Sequence, residues 1–334
     1  MLLLVAAMFA IAFVATLAIT PIIIRSAKEA GIVGTDIHKK DRPLVSELGG
    51  VALSAGIIAA LLFGIAAASF TTLQTVFEVR IDNSYLLAVL SVVLFIEIIG
   101  FLDDVLGLRQ RNKFLLPFGA ALPLSAVKIA ALHPFSLPII GVVTFITPIV
   151  YEMVLIPLGI AASTNLTNVF AGYNGLEAGL GAVIAFFFLA LGYAQGNQAT
   201  MILSATLMGA CLAFLRYNWY PAKIFPDDVG TLLIGAMIGS IAIVGGVELA
   251  GAILMLPYII DFLFFKLPNN LPSKGWWSTI TDKGLTHAGK PVHFGQFLVQ
   301  KFPGISEQRL VLLILGGEFL IGVCVLLLYG VIRI

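Results

Sequence analysis

Charge is what this sequence has least of. Lys, Arg, Asp and Glu together make 11% of its 334 residues, against roughly 25% in an average soluble domain. With 60% hydrophobic residues and a mean hydropathy of +1.05, a soluble globular class is excluded and an integral membrane protein is indicated. Cysteine is nearly absent too. Cys211 and Cys324 both lie inside apolar runs, which excludes a disulfide scaffold. No small-residue cleavage site followed by a soluble domain is visible, and Leu2 to Ile24 is long enough to span, so this stretch reads as a first membrane helix. Long repeats, low-complexity tracts and a separate soluble segment are lacking, so residues 1–334 read as one membrane domain. A net charge of +1 gives no ground for a nucleic-acid partner.

What the chain has in abundance is apolar windows of the roughly 17 to 25 residues that a bilayer-spanning helix needs. About ten are visible, at 2–24, 49–69, 85–102, 114–132, 147–163, 177–195, 199–215, 229–245, 247–264 and 309–331. The run 229–264 is barely interrupted, but as one helix it would reach roughly 54 Å, too long for one crossing. The chain is therefore expected to break at Gly245-Gly246. Sixteen of the nineteen Lys and Arg fall in segments 25–48, 103–113, 216–228 and 265–308 or at Arg309. The positive-inside bias puts those segments in the cytoplasm. The expected fold is thus an all-α polytopic membrane protein of about ten transmembrane helices, with both termini outside and active-site loops on the cytoplasmic face. Proline spacing and β-branched residues around 142–146 suggest a short outer β-hairpin near 132–148.

Against this apolar background the polar clusters stand out, and all fall on the expected cytoplasmic face. The largest is the island 163–179, with Asn165, Asn168 and Asn174 between two membrane-grade runs. An unpaired amide in hydrocarbon costs several kcal/mol, so such a cluster meets water or a polar ligand. Asn165 and Asn168 are three residues apart and share a helix face, while Gly172 and Gly175 permit positive φ at a turn. Asp103 and Asp104 close the third window, where both the helix macrodipole and each other's charge are unfavourable. Compensation must come from Arg109, Arg111 and Lys113, or from a divalent cation. Asp227 and Asp228 open the eighth window as ordinary N-terminal carboxylates, or as hard oxygen ligands of the kind Mg²⁺ prefers. The segment from Lys39 to Gly50 is basic, then glycine-rich before a helix, which satisfies the positive-inside bias and suits an anion.

Together these motifs resemble the polyprenyl-phosphate N-acetylhexosamine-1-phosphate transferases. The resemblance is carried by Asp103-Asp104 with Lys113, and by Asn165-x-x-Asn168-x-x-x-Gly172-x-Asn174-Gly175-Leu-Glu-Ala-Gly179. Asn218-Trp-Tyr-Pro221 with Phe225-x-x-Asp228, and Ser46-Glu47-x-Gly49-Gly50, complete it. The form of the second and third motifs is closer to the dolichyl-phosphate GlcNAc-1-phosphotransferase branch than to the bacterial phospho-MurNAc-pentapeptide branch. The resemblance implies a Mg²⁺-dependent enzyme, with Mn²⁺ as a substitute, that transfers GlcNAc-1-phosphate from UDP-GlcNAc to a polyprenyl or dolichyl phosphate and releases UMP. It also implies an integral protein of the cell membrane or endoplasmic reticulum, compatible with a homodimer. Residue by residue, it implies Asp228 and Asn168 at the metal, Asn174 and Phe225 at uracil, Glu47 near the nucleoside, and Asp103, Asp104 and Lys113 in catalysis. Asn165 is expected to face the diphosphate with Asn168. Three positions depart from the family pattern: Asp227 replaces a usual glycine, Val229 a common threonine, and the last cytoplasmic loop lacks the basic or histidine-rich motif. In that loop Lys274, His287, Lys290 and His293 are the available substitutes, with Lys274 expected at the substrate.

In the expected mechanism the lipid phosphate attacks directly, oriented or deprotonated by Asp103, while Asp104 holds Lys113. A two-step route through a phospho-aspartate is the rival. Another UDP-N-acetylhexosamine is the alternative donor. A secondary transporter is the alternative from a different class, since intramembrane carboxylates and broken helices also mark transporters; the clustering of polar residues at one face argues for the enzyme.

Overall fold

The computed structural model describes residues 2–131, 136–137, 141–142, 148–271 and 278–331. Helix dominates because in lipid a helix satisfies its own backbone polar groups. The chain runs α1 (Leu2–Glu29), β1 (Val33–Thr35), β2 (Leu44–Ser46), α2 (Gly49–Ser69), α3 (Thr71–Phe77), α4 (Asn83–Leu106), α5 (Gln110–Ala120) and α6 (Leu122–Ala131). Then come β3 (Ser136–Leu137), β4 (Gly141–Val142), α7 (Pro148–Val150), a π-helical turn Tyr151–Leu155, α8 (Ile156–Val169), α9 (Leu176–Gln195), α10 (Gln198–Asn218) and α11 (Asp227–Gly245). The remainder is α12 (Glu248–Leu254), α13 (Leu256–Asp261), β5 (Thr279–Thr281), β6 (Gly284–Thr286), α14 (Phe294–Lys301) and α15 (Glu307–Leu328).

Among the described residues, eight helices are long and apolar enough to cross a membrane: α1, α2, α4, the continuous run Pro148–Val169, α9, α10, α11 and α15. A ninth candidate is the pair Glu248–Leu254 and Leu256–Asn269, bent by 58°. The break expected at Gly245-Gly246 is present, with Gly246 at φ 65 ending α11. The window expected at 114–132 is not one helix. It divides into α5 and α6 at Ala121, with Pro117 inside α5 and Pro123 in the first turn of α6. Each proline removes a backbone donor, and at 11 residues α5 reaches only about 16 Å. Strands β3 and β4 pair antiparallel, Ser136 with Val142, as the hairpin expected between 132 and 148; residues 132–135, 138–140 and 143–147 lie outside those described.

The bundle is built around α11. Of its most apolar window 89% is buried, against 28% for α1 and 39% for α15, whose outer faces are left for lipid. Small residues let its neighbours approach closely, the usual basis of helix packing where surrounding lipid is as apolar as the side chains. A β-carbon on Gly235 would come within 2.3 Å of the Ser163 carbonyl oxygen on α8, and one on Gly50 of α2 within 2.2 Å of the Gly230 nitrogen. On α4, a β-carbon on Gly100 would come within 2.7 Å of the Val229 Cα. These contacts bring the start of α11 against the ends of α4 and α8. The hairpin β1–β2 joins the same corner through extended backbone: Phe225 N donates to Ser46 O at 2.9 Å, and Gly49 N to Phe225 O at 2.9 Å.

Candidate active site

Helix ends from distant parts of the sequence meet at this corner around Lys113, at the start of α5. Its ammonium pairs with Asp103 and, at 2.5 Å, with Asp228 Oδ2. Burial opposes the lysine charge, but the carboxylates of Asp228 and Asp103 overcome it and raise its pKa. Asn168, in the last turn of α8, donates its amide to Asp228 Oδ1 and, at 2.8 Å, to Thr231 Oγ1. Asp104 is exposed and accepts from the Asp228 backbone N–H at 3.3 Å. The expected partnership of Asp104 with Lys113 is therefore corrected. Asp103 points inward to the lysine, whereas Asp104, the next residue on the helix, points about 100° away and caps α11. Asp227 adopts φ 51, and its carboxylate accepts the Leu48 N–H. The carboxylate that replaces the usual glycine thus ties the segment after β2 to α11.

A second centre lies deeper, around Lys39 in the loop between β1 and β2. Its ammonium donates to Asp36 Oδ2 at 2.8 Å, Glu307 Oε2 at 2.8 Å and Asn174 Oδ1 at 3.1 Å, and lies 4.0 Å from the centroid of Tyr220. Asn174 is held on every side: its backbone N–H donates to Glu307 Oε1 at 2.7 Å, Nδ2 to Asp36 Oδ2 at 3.2 Å, and Oδ1 accepts from Ala222 N at 2.8 Å. The turn that presents it uses the expected glycines, with Gly172 at φ 144 and Gly175 at φ 81. His38 stacks on Tyr173 with centroids 4.7 Å apart and accepts from Ser278 N at 3.3 Å. Burial lowers the His38 pKa to about 4 and the His293 pKa to about 3, so both rings are neutral at pH 7.

Between the two centres opens a cavity of about 480 Å³. Asp36, His38, Glu47, Asn174, Phe225 and Asp228 are among its lining residues. Glu47 has its pKa raised by burial. The structure thus brings Glu47, Asn174, Phe225 and Asp228 to one cavity, with Asp103, Asp104, Lys113 and Asn168 joined to it through Asp228. Asn165 differs from expectation. Its amide donates to the Ala161 carbonyl of its own helix at 2.8 Å, and it lines a separate apolar cavity of about 270 Å³ with Phe114, Phe118 and Phe262. Three residues on a helix are about 60° apart in azimuth, and here that angle separates a polar cavity from an apolar one. Another apolar cavity, of about 220 Å³, shares Ala162, Leu166 and Ile259 with it. Lys274 lies outside the described residues. His293 is fully buried as the N-cap of α14 and bonds to the Phe170 backbone, so it does not face the cavity. Sequence reading missed Asp36, His38 and Glu307. The signal available was their polarity beside membrane windows, but in a charged loop such residues look like ordinary solvated ones.

The family model for glycosyl transferase family 4 matches residues 85–246. A Saccharolobus solfataricus protein provisionally named UDP-N-acetylglucosamine–dolichyl-phosphate N-acetylglucosaminephosphotransferase is 33% identical over 309 residues, 92% of this chain and 91% of that one. The Dictyostelium discoideum protein of the same name is 30% identical, over 75% of this chain and 68% of its own. A phospho-N-acetylmuramoyl-pentapeptide-transferase of Clostridium novyi is 34% identical over a shorter stretch, 58% of this chain and 65% of its own.

Proposed function

The chain belongs to glycosyl transferase family 4, in the branch of the dolichyl-phosphate N-acetylglucosaminephosphotransferases, and from that premise we propose that it transfers GlcNAc-1-phosphate from UDP-GlcNAc to a polyprenyl phosphate such as dolichyl phosphate. The observation that carries the reading is the junction of three environments. A polar cavity with a half-buried Phe225 ring adjoins a carboxylate–lysine cluster, and one turn along α8 lies an apolar cavity. A nucleotide sugar comes from water and a polyprenyl chain from lipid, and they must meet at a phosphate.

In the proposed reaction an oxygen of the lipid phosphate attacks the β-phosphorus of UDP-GlcNAc. The bond from that phosphorus to the bridging oxygen breaks, and its electron pair leaves with UMP. The product is a lipid-diphosphate sugar. Both reactants are anions, so Lys113, positioned by Asp103 and Asp228, neutralises charge at the diphosphate. Asp104, exposed and outside the Lys113 ion pair, orients the attacking phosphate and takes its proton where one is present. Asn174 and Phe225 receive the base, and the two apolar cavities beside α8 receive the isoprenoid chain.

Among the described residues no three His, Cys, Asp or Glu side chains form a ready-made metal cage. That fits Mg²⁺, which takes one or two carboxylates, keeps waters and binds substrate phosphates. Four aspartates converge here, and Lys113 pairs with two of them, Asp103 and Asp228. Asp228 with Asn168 would hold the ion. When bound it would neutralise charge on the diphosphate.

The proposed topology has ten crossings, α5 and α6 supplying one and the bent α12–α13 pair another, with both termini outside and the site in the cytoplasm. The Lys and Arg distribution supports it. The test is purified protein with Mg²⁺, a panel of radiolabelled UDP-sugars and a short polyprenyl phosphate, followed by lipid extraction. A labelled lipid from UDP-GlcNAc is expected. No lipid product with any donor would turn the assignment toward a transporter, and a stoichiometric burst of UMP without acceptor would replace direct attack by the two-step route.

A further inference from the structure

Glu307 opens the last membrane helix, far in sequence from every motif that marks the site, yet its two carboxylate oxygens do different jobs there. Oε2 accepts from Lys39 Nζ at 2.8 Å, across 268 residues of sequence, and Oε1 accepts from the Asn174 backbone N–H at 2.7 Å, across 133. The side chains of Glu307 and Lys39 are 2% and 8% exposed, so neither partner is replaced by water. Glu307 itself is absent from the lining of the polar cavity, while Asp36 and Asn174, which share Lys39 with it, both line that cavity.

We propose that Glu307 is a positioning residue for the nucleotide cavity, fixing the β1–β2 loop through Lys39 and the 172–175 turn through the Asn174 backbone. It acts through these two segments and touches neither the base nor the phosphates. The reason for a carboxylate is geometric. Its two oxygens serve the ammonium and the backbone N–H separately, and without its charge the buried ammonium would be left with Asp36 and the neutral amide oxygen of Asn174 as acceptors. The inference rests on the reading of the cavity as a nucleotide site, and its test is chosen to fail separately from that reading.

The experiment measures UDP binding to the purified full-length chain by calorimetry, and UDP-GlcNAc kinetics alongside it, for the parent, E307Q, E307D, K39M and the double variant E307Q/K39M. E307Q keeps the shape and one acceptor but loses the charge. It is expected to weaken UDP binding and raise the donor KM by about tenfold to a hundredfold, as for a hydrogen bond to a charged group, with kcat within about threefold. E307D should recover part of the loss. The double variant should be less impaired than the product of the two single effects, the signature of groups in direct contact. The inference is overturned if UDP affinity is unchanged in folded E307Q, if kcat falls with KM unmoved, or if the single effects multiply. A parent that binds UDP but makes no lipid product would defeat the proposed reaction and leave the Glu307 binding series readable.

Discussion

Lys113 and Lys39 are each paired with two carboxylates and linked to an asparagine, but one carboxylate of the first group reaches water and both of the second are sealed. The side chain of Asp228, one partner of Lys113, is 30% exposed and that of Asp103, the other, 6%, whereas those of Asp36 and Glu307, partners of Lys39, are 3% and 2% exposed. A charge pair at an open rim can exchange partners when a phosphate arrives, because solvent softens the loss of either contact. A sealed pair cannot, since removing one partner leaves an uncompensated buried charge. On the proposed reading the same set of groups serves reaction at one lysine and shape at the other. In the open cluster Asp228 lines the polar cavity; in the sealed one the lysine and carboxylates hold loops that come from three parts of the chain.

Breaking the open cluster at Asp228 should have the largest effect. D228N keeps the volume but removes the charge that holds Lys113 and would hold a metal ion; a loss of kcat on the order of a thousandfold is expected. Turnover measured across a Mg²⁺ titration checks it, and parental activity at low Mg²⁺ would remove Asp228 from the metal role.

The sealed region should instead respond through stability. His38 and His293 are buried neutral, with pKa values near 4 and 3, while an unfolded histidine titrates near 6.5. At each ring the unfolded chain binds more protons between those values, so the stability the ring contributes is complete above pH ~6.5 and is lost as pH drops through about 4. The slope of the thermal unfolding midpoint in detergent from pH 7 to 4, parent against variant, measures that contribution. H38Q should flatten the upper part of that slope, and an unchanged slope would count against a buried neutral ring.

The smallest effect is expected at Asn165, on the apolar side of α8. N165A should leave the donor KM within about twofold, because among the described residues its amide bonds to its own helix and such a bond contributes little net. Its effect should fall on the KM for the lipid acceptor. A larger shift for the donor would return Asn165 to the diphosphate.

Much of this was legible in sequence. Hydropathy windows located the long helices because a bilayer imposes length and apolarity together, and Gly245-Gly246 marked a real helix end. Asp103, Lys113, Asn168 and Asp228 were visible as polar groups where none is needed to build a membrane helix. The break at Ala121 was foreshadowed by Pro117 and Pro123 but hidden by the uniform apolarity around them. Asp36, His38 and Glu307 were illegible for a different reason. Their meaning lies in a contact spanning up to 268 residues, and a charged residue in a polar loop carries no local mark of burial. That Asp103 and not Asp104 faces Lys113 was likewise beyond reach, since adjacent residues on a helix differ only in azimuth until the neighbouring helix is known.

The division between the two lysine centres is tested most directly by UDP-GlcNAc kinetics on N174A and K113M, prepared and folded in parallel. The expected result is that N174A raises the donor KM by about tenfold with kcat nearly retained, while K113M lowers kcat by about a hundredfold or more. A fall in kcat alone for N174A, or a rise in KM alone for K113M, would contradict the division.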